Sequence, residues 1–217
     1  MVILPINKRL KKKLHRTIAL AQDILIMEIY DKFPSAIVHG GTAIWRCYGS
    51  NRFSEDVDFY FPPNLKRSDF SGFLNGLKEK GFKVEKFRRT NNSVFAKFSY
   101  LNVTVRCEIV FKRVRNFITK SFEMSDGTSI LVNTLTAEDL IEEKALAYIK
   151  RRKVRDLYDV FFLLKFIKKD EKVKRILKKL VREFKKPVDE KELKVLIISG
   201  SVPKVDYMLE TVRRWVR

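Results

Sequence analysis

Residues 40–58 read GGTAIWRCYGSNRFSEDVD, so a Gly-Gly pair opens this stretch and an Asp-x-Asp pair closes it. The apolar residues 36–38 before the glycines predict a short buried strand, and residues 42–48 after them predict a short helix. Glycines let the backbone come close to phosphate groups, which the amide groups at the start of a helix can bind. An ordinary turn is the alternative. The candidates for phosphate binding are Gly40, Gly41 and Thr42.

The acidic pair, Asp56 and Asp58, lies in a second predicted strand, residues 55–61. Because side chains alternate along a strand, both carboxylates point the same way, while Val57 and Phe59 point into a core. Two adjacent carboxylates repel each other unless a cation lies between them, and such pairs hold divalent metal for phosphoryl chemistry. The alternative is a surface strand with two solvated acids.

Other polar residues extend this candidate site. Ser54 could donate a hydrogen bond to a phosphate oxygen, and Arg52 could donate two. Glu108 is a candidate third carboxylate, because it lies on the polar face of a predicted strand that should pair near Asp56. Three carboxylates from two strands can hold one or two Mg²⁺ ions. An ion pair between Glu108 and Arg106 or another base is the alternative.

Lys144 and Arg151 lie seven positions apart and therefore on one face of a predicted helix. Lys144 is set among alanine and leucine residues, which suits a lysine that contacts a triphosphate. The alternative is a surface lysine paired with Glu143 or a neighbouring acid.

The next motif reads RDLYD, from Arg155 to Asp159. Arg155 and Asp159 are four apart on a helix and could simply pair, and Asp156 could cap the first turn. The functional interpretation is that Asp156 and Asp159 orient Lys144, Arg151 or an acceptor molecule. The lone His39 has no base or metal partner in the sequence, which favours a structural role.

The charge balance favours a polyanionic partner. The 217 residues include 46 Lys and Arg against 26 Asp and Glu, which gives a formal charge of +20. Residues 144–186 alone hold 17 basic and five acidic residues. RNA is the partner we expect there, with the solvated lysine-rich surface of a heat-adapted protein as the alternative.

The two cysteines, Cys47 and Cys107, form no metal-type pair and give no sign of a disulfide framework, so reduced thiols in the cytoplasm are expected. The basic residues 1–16 lack the apolar core and cleavage site of a signal peptide. No run of about 18 apolar residues predicts a membrane span.

Periodicity predicts an α+β front domain, residues 1–133, followed by a helical domain, residues 134–217. The front domain begins with a long helix over residues 7–32. Its other predicted elements are a helix at 68–80, strands at 82–88, 93–100 and 103–111, and edge strands at 114–118 and 129–132 around a turn at 125–127. The helical domain begins at Thr136, a good N-cap. Its predicted helices are 137–151, 154–168, 171–185, 189–197 and 202–216.

Taken together, these residues resemble the AbiEii/AbiGii toxin-type branch of the nucleotidyltransferase superfamily. The resemblance covers about residues 35–165, and the motifs are specific in this order although each is weak alone. The matching pieces are Gly40 to Ala43, Arg52 to Phe59, the spacing of Lys144 and Arg151, and Arg155 to Asp159. Gly-Gly-Thr here replaces the Gly-Ser of much of the superfamily, and Thr42 keeps a hydroxyl for phosphate contact.

The resemblance implies a minimal nucleotidyltransferase mixed sheet flanked by helices, with a C-terminal helical bundle. It implies Mg²⁺-dependent transfer of NMP from an NTP to an acceptor hydroxyl, with tRNA 3′ ends as a known target class. Asp56 and Asp58 would be metal ligands, with Glu108 as a less secure third. Lys144 would contact nucleotide phosphates and Asp156 would be a further catalytic acid.

Several relatives are toxins of toxin–antitoxin systems, which adds a cognate antitoxin as an expected partner. One alternative is a non-catalytic basic RNA-binding protein with a vestigial NTP pocket. Another is nucleotidyl transfer to a protein or a small molecule instead of RNA.

Overall fold

The structure is a computed structural model that describes residues 5–65 and 69–217. The chain divides into two compact units. The first contains the chain up to Gly49 together with Ser54–Leu135, and the second contains Ser50–Phe53 together with Thr136–Arg217. The sequence pattern does not predict that the short segment Ser50–Phe53 packs with the C-terminal helices.

The first unit is built on a mixed β-sheet. Its strands are β1 (Ile37–His39), β2 (Val57–Phe61), β3 (Lys83–Arg89), β4 (Ser93–Tyr100), β5 (Val103–Phe111), β6 (Ile118–Glu123) and β7 (Ser129–Thr134). Within the described residues the sheet has seven strands in the order β3-β4-β5-β2-β1-β7-β6. The pairs β2–β5 and β1–β7 are parallel, and the other neighbours are antiparallel. The helices of this unit are α1 (Ile6–Arg9), α2 (Lys13–Lys32), α3 (Gly40–Tyr48) and α4 (Asp69–Glu79).

Strict alternation along β5 confirms the predicted faces of this strand. Val103, Val105, Cys107 and Ile109 are buried, while the residues between them are exposed. The turn from β4 to β5 places Leu101 and Asn102 at φ angles of 44° and 64°, a left-handed conformation that asparagine tolerates well. Alternation and turn chemistry together explain why the bounds of β4 and β5 match the prediction.

The predicted single helix over residues 7–32 is wrong, because the chain breaks into α1 and α2 at residues 10–12. Six basic residues crowd the early turns of that prediction, and like charges at helical spacing are destabilising. A long-range contact also fixes α1 separately. Arg9 is 2% exposed and its Nη2 lies 3.1 Å from Glu123 Oε2 at the end of β6.

Several further boundaries differ from the sequence prediction, two of them near the candidate site or at the edge of the sheet. The edge strand predicted at 114–118 lies later in the chain, because residues 114–117 form no strand and β6 begins at Ile118. The second strand begins at Val57 rather than residue 55, so Asp56 lies just before β2. The predicted start of the fourth helix, Ser68, lies outside the described residues.

The second unit is helical. Its elements are α5 (Ala137–Arg151), α6 (Val154–Leu163) with a 3₁₀ turn at Leu164–Phe166, α7 (Glu171–Arg182), a 3₁₀ turn at Glu190–Glu192, α8 (Leu193–Leu196) and α9 (Val205–Val216). Thr136 caps α5 as predicted, because its side chain accepts a hydrogen bond of 3.2 Å from the Asp139 amide. The segment Ser50–Phe53 joins this unit through the Phe53 amide, which donates to the Leu196 carbonyl at 2.8 Å.

Across the described residues, we find no helix that combines the length and the apolar character needed to cross a membrane.

Candidate active site

The carboxylate of Asp58 lies directly against the backbone of Gly40, at the start of α3. A Cβ atom built on Gly40 would be 2.2 Å from Asp58 Oδ2, and the φ angle of Gly40 is +70°. Only glycine meets both conditions without strain. The antiparallel pairing of β1 with β2 sets Asp58 opposite His39, the residue before Gly40. The Gly-Gly turn and the acidic pair are therefore brought together by the fold.

Glu108 is the direct neighbour of Asp58 on the adjacent strand. In the parallel pairing of β2 with β5, Asp58 is in register with Glu108, and Val57 is in register with Cys107. Val57 and Cys107 are fully buried, so their neighbours Asp58 and Glu108 lie on the opposite face of the sheet. The predicted pairing of the Glu108 strand beside the acidic pair is therefore confirmed.

Asp56, the other member of the acidic pair, forms an ion pair with Arg106, which lies two residues before Glu108 on the same face of β5. Arg106 Nε donates to Asp56 Oδ1 at 2.7 Å and Nη2 donates to Oδ2 at 2.9 Å. These hydrogen bonds and the carboxylate charge raise the pKa of Arg106. Arg106, the alternative partner considered for Glu108, forms a bidentate pair with Asp56, and the charge of Glu108 also raises its pKa.

Thr42 contacts the backbone of Asp56 rather than facing outward. Its hydroxyl is fully buried and donates to the Asp56 carbonyl oxygen at 2.5 Å. This geometry speaks against the predicted phosphate contact of the hydroxyl, because the donor is already used inside the protein. Thr42 therefore ties the first turn of α3 to the chain that enters β2.

The oxygen donors of this face suit a hard divalent cation, which prefers carboxylates. Asp58 and Glu108 stand side by side, and the bare Gly40 backbone leaves room for the Asp58 carboxylate. Asp56 could become a third ligand of the cation only if its ion pair with Arg106 were broken. In keeping with that pair, no group of three or more His, Cys, Asp or Glu side chains among the described residues is arranged to hold a metal ion. The residues fit a cation through Asp58 and Glu108, with Asp56 engaged elsewhere.

A second cluster of charged residues surrounds Lys144 in the helical unit. Lys144 is 8% exposed, and its Nζ lies 3.0 Å from Asp159 Oδ2 and 3.8 Å from Asp156 Oδ1. Both aspartates are fully buried on α6. Lys144 is therefore not the exposed surface lysine considered as the alternative, because it is buried and contacts two buried aspartates.

Arg52 completes the buried part of this cluster. Its Nε and Nη2 donate to the two carboxylate oxygens of Asp159 at 2.7 and 2.8 Å, and its Nη1 donates to the Phe53 carbonyl at 3.0 Å. Burial alone would raise the pKa of Asp159, but the charges of Arg52 and Lys144 outweigh burial and lower it. Arg52 is 3% exposed, so the geometry favours a structural role over the predicted phosphate contact.

Arg151 occupies the open side of the same cluster. It donates to both oxygens of the buried Asp156, at 2.7 and 2.8 Å, while its side chain stays 45% exposed. Asp156 is therefore an ion-pair partner, and the cap of α6 comes instead from Asp189, which accepts from the Val154 amide at 2.7 Å. Asp159, for which a pair with Arg155 was the alternative, contacts Arg52 and Lys144.

Two neighbours of the acidic pair serve local structure. His39 stacks on Tyr60 with ring centroids 3.8 Å apart and planes 6° from parallel, in line with its expected structural role. The backbone carbonyl of Ser54 accepts a hydrogen bond of 2.9 Å from Gln22 Nε2, which fixes the chain just before Asp56.

The pair of Arg52 with Asp159 joins residues 107 positions apart, and the sequence carries no local signal for it.

The sequence of residues 27–201 matches the family described as "Nucleotidyl transferase AbiEii toxin, Type IV TA system". This match covers most of the chain and bears out the resemblance found in the motifs. The sequence has no significant match among curated proteins.

Two solved structures share the fold. JHP933 from Helicobacter pylori has a TM-score of 0.62 at 19% sequence identity, over 91% of this chain and 90% of that protein. MenT4, a nucleotidyltransferase toxin from Mycobacterium tuberculosis H37Rv, has a TM-score of 0.62 at 16% identity, over 92% of this chain and 81% of that protein. The predicted α+β nucleotidyltransferase fold is therefore confirmed.

Proposed function

The chain belongs to the AbiEii family of nucleotidyltransferase toxins, and we propose that it transfers NMP from an NTP to a hydroxyl group of RNA, with the tRNA 3′ end as acceptor. The proposal is carried by one observation, the pairing of Asp58 with Glu108 beside the bare backbone of Gly40. A cytoplasmic setting and a cognate antitoxin belong to the same proposal.

The face of the sheet that carries Asp58 and Glu108, with Asp56 just before β2, is called the carboxylate face, and it supplies the reaction centre. Asp58 and Glu108 would hold Mg²⁺, joined by Asp56 once Arg106 releases it, and a second Mg²⁺ is compatible with three carboxylates. The bound cation would shield the charge of the α-phosphate and lower the pKa of the attacking hydroxyl. The backbone of Gly40 and Gly41 at the start of α3 would bind phosphate oxygens, because helix amides there are donors and the helix dipole favours anions.

The Lys144 cluster supplies positive charge for the nucleotide phosphates. Arg52, Lys144 and Arg151 carry three positive charges against the two of Asp156 and Asp159, which leaves a net excess of one. Asp156 and Asp159 fix the lysine in place, so little side-chain entropy is lost when Nζ contacts an anion. In this proposal Lys144 and Arg151 neutralise the departing pyrophosphate, and Ser54 and Arg155 are further candidate contacts.

The charge distribution of the helical unit favours RNA as the acceptor. Segment 144–186 holds 17 basic and five acidic residues, and two of the acids, Asp156 and Asp159, are buried in ion pairs. Exposed basic residues lie at the C-terminal end of α5 and along α7. Such a surface attracts phosphate backbones and releases their counterions. These residues are Lys150 and Arg151 in the last turn of α5, Arg152 directly after it, and Lys172, Arg175, Lys178, Lys179 and Arg182 on α7.

Label transfer tests this proposal. The purified protein is incubated with each of the four α-³²P-labelled NTPs, Mg²⁺ and total RNA, and the labelled species are separated on a denaturing gel. We expect label on tRNA-sized RNA with the wild type and none with Asp58→Asn. Thermal melting of Asp58→Asn checks that the variant folds, since an exposed-face amide substitution should cost little stability.

The other outcomes identify the alternatives. Label on protein or on a small molecule would replace the RNA acceptor. RNA binding without turnover of any NTP would favour the non-catalytic RNA-binding module. Equal labelling by the wild type and a folded Asp58→Asn variant would refute the assignment of the reaction centre to this face.

A further inference from the structure

Arg106 contacts the acidic pair through Asp56, and its guanidinium group occupies both oxygens of that carboxylate. Arg106 and Glu108 are successive residues on the exposed face of β5, with the buried Cys107 between them in the chain. The register of β2 with β5 begins at Val57 and Cys107 and sets Asp58 beside Glu108, and the residues just before these pairs, Asp56 and Arg106, are joined by their side chains. The strand pairing itself therefore places a cation on one member of the acidic pair.

A carboxylate engaged by a bidentate guanidinium has little capacity left for a metal ion. The two hydrogen bonds, 2.7 and 2.9 Å long, use the oxygens that would coordinate a cation. A divalent cation bound at Asp58 would also be repelled by a guanidinium held this close. The pair as it stands thus opposes occupation of the site through Asp56.

The ion pair between Arg106 and Asp56 can also dissociate readily. The side chain of Arg106 is 50% exposed and that of Asp56 is 26% exposed, so solvent can replace either partner. Exposed ion pairs contribute little to stability, which makes their exchange easy. The ion pair of Arg52 with Asp159 in the other unit is a contrast, because both of its side chains are almost fully buried.

We propose that Arg106 is a displaceable counter-cation, which holds Asp56 while the site is empty and must release it before Asp56 can bind a divalent cation. The proposal rests on the proposed function, because it assumes that the carboxylate face binds the cation of the reaction. It makes Arg106 a positioning residue that sets the metal affinity of the site.

Metal titration without nucleotide tests the proposal, with Mn²⁺ alone as the probe and the electron paramagnetic resonance signal of free Mn²⁺ as the readout. We expect Arg106→Gln to bind Mn²⁺ about fivefold more tightly than the wild type, which corresponds to about 1 kcal/mol. Arg106→Lys keeps the charge but loses the bidentate geometry, so we expect a smaller gain. Arg213→Gln is the matched control, because Arg213 is an exposed arginine on α9 of the helical unit and its loss changes the net charge equally.

A double-mutant cycle separates release of Asp56 from a general effect of charge. In an Asp56→Asn background, Arg106→Gln should bring no gain in Mn²⁺ affinity, because the residue it releases is gone. An affinity of Arg106→Gln equal to that of the wild type would overturn the proposal, as would a gain that persists undiminished in the Asp56→Asn background. If no variant binds Mn²⁺ in a manner that depends on Asp58, both this proposal and the metal-dependent function fail.

Discussion

Substitution of Gly40 by alanine is the sharpest perturbation of the carboxylate face. The new Cβ atom would lie 2.2 Å from Asp58 Oδ2, about 1.2 Å short of the 3.4 Å at which ordinary van der Waals contact begins. The residue would also keep a φ angle of +70°, which side chains rarely adopt. The substitution therefore combines a backbone cost with a forced displacement of a proposed metal ligand.

The two effects have different magnitudes. The left-handed backbone costs an L-residue about 1–2 kcal/mol, which lowers the melting temperature of a domain of this size by roughly 3–6 °C. The displacement acts on activity, because a misplacement of about 1 Å at a reacting centre can cost about 100-fold in rate. We therefore expect Gly40→Ala to fold, to melt a few degrees lower and to lose nearly all nucleotide transfer.

Differential scanning fluorimetry and the initial rate of label transfer measure both effects. Gly72→Ala is the control, because Gly72 lies in α4 with no atom within 4 Å of the added Cβ. Alanine there favours the helix by up to about 1 kcal/mol, so we expect an unchanged rate and an equal or higher melting temperature. A Gly40→Ala variant with the rate and stability of the wild type would refute the close approach of Gly40 and Asp58, or its importance.

Three further expectations follow from the buried charges and thiols. Asp159→Asn leaves Arg52 and Lys144 without their shared carboxylate, so urea unfolding should show a loss of about 3 kcal/mol, and a loss below about 1 kcal/mol would contradict a buried pair. The pKa of Asp159 is lowered in the folded state, so its contribution is complete above about pH 4 and is lost in more acidic solution. Wild-type stability should therefore fall more steeply below pH 4 than that of Asp159→Asn. Burial raises the pKa of Cys47 to about 12 and raises that of Cys107, so neither thiol should react with iodoacetamide at pH 8 before unfolding, as mass spectrometry can check.

Local patterns account for the parts of the fold that could be predicted. The bounds of β4, β5 and α5 follow from strand alternation, from turn residues and from the Thr136 cap, all of which act over a few neighbouring residues. The break between α1 and α2 could not be predicted in this way. It depends on Arg9 and Glu123, which are 114 positions apart.

The candidate site divides in the same manner. Residue types and spacing indicate the acidic pair, Glu108 and Lys144, because each lies in a recognisable strand or helix pattern. The partners of these residues depend on register and packing, so the pairs of Arg106 with Asp56 and of Arg52 with Asp159 emerge only from the structure. Phosphate contacts were expected for Arg52 and Thr42. In the structure both side chains donate hydrogen bonds inside the protein instead.

The central claim is that the carboxylate face catalyses transfer of a nucleotide and not of a terminal phosphate. The most direct test compares RNA incubated with α-³²P-labelled and γ-³²P-labelled samples of the same NTP, with wild type and Asp58→Asn in parallel. We predict that RNA gains only the α label and that the γ label leaves as pyrophosphate. With Asp58→Asn, RNA should gain no label and no labelled pyrophosphate should be released. Transfer of the γ label to RNA, or α-label transfer undiminished in a folded Asp58→Asn variant, would contradict it.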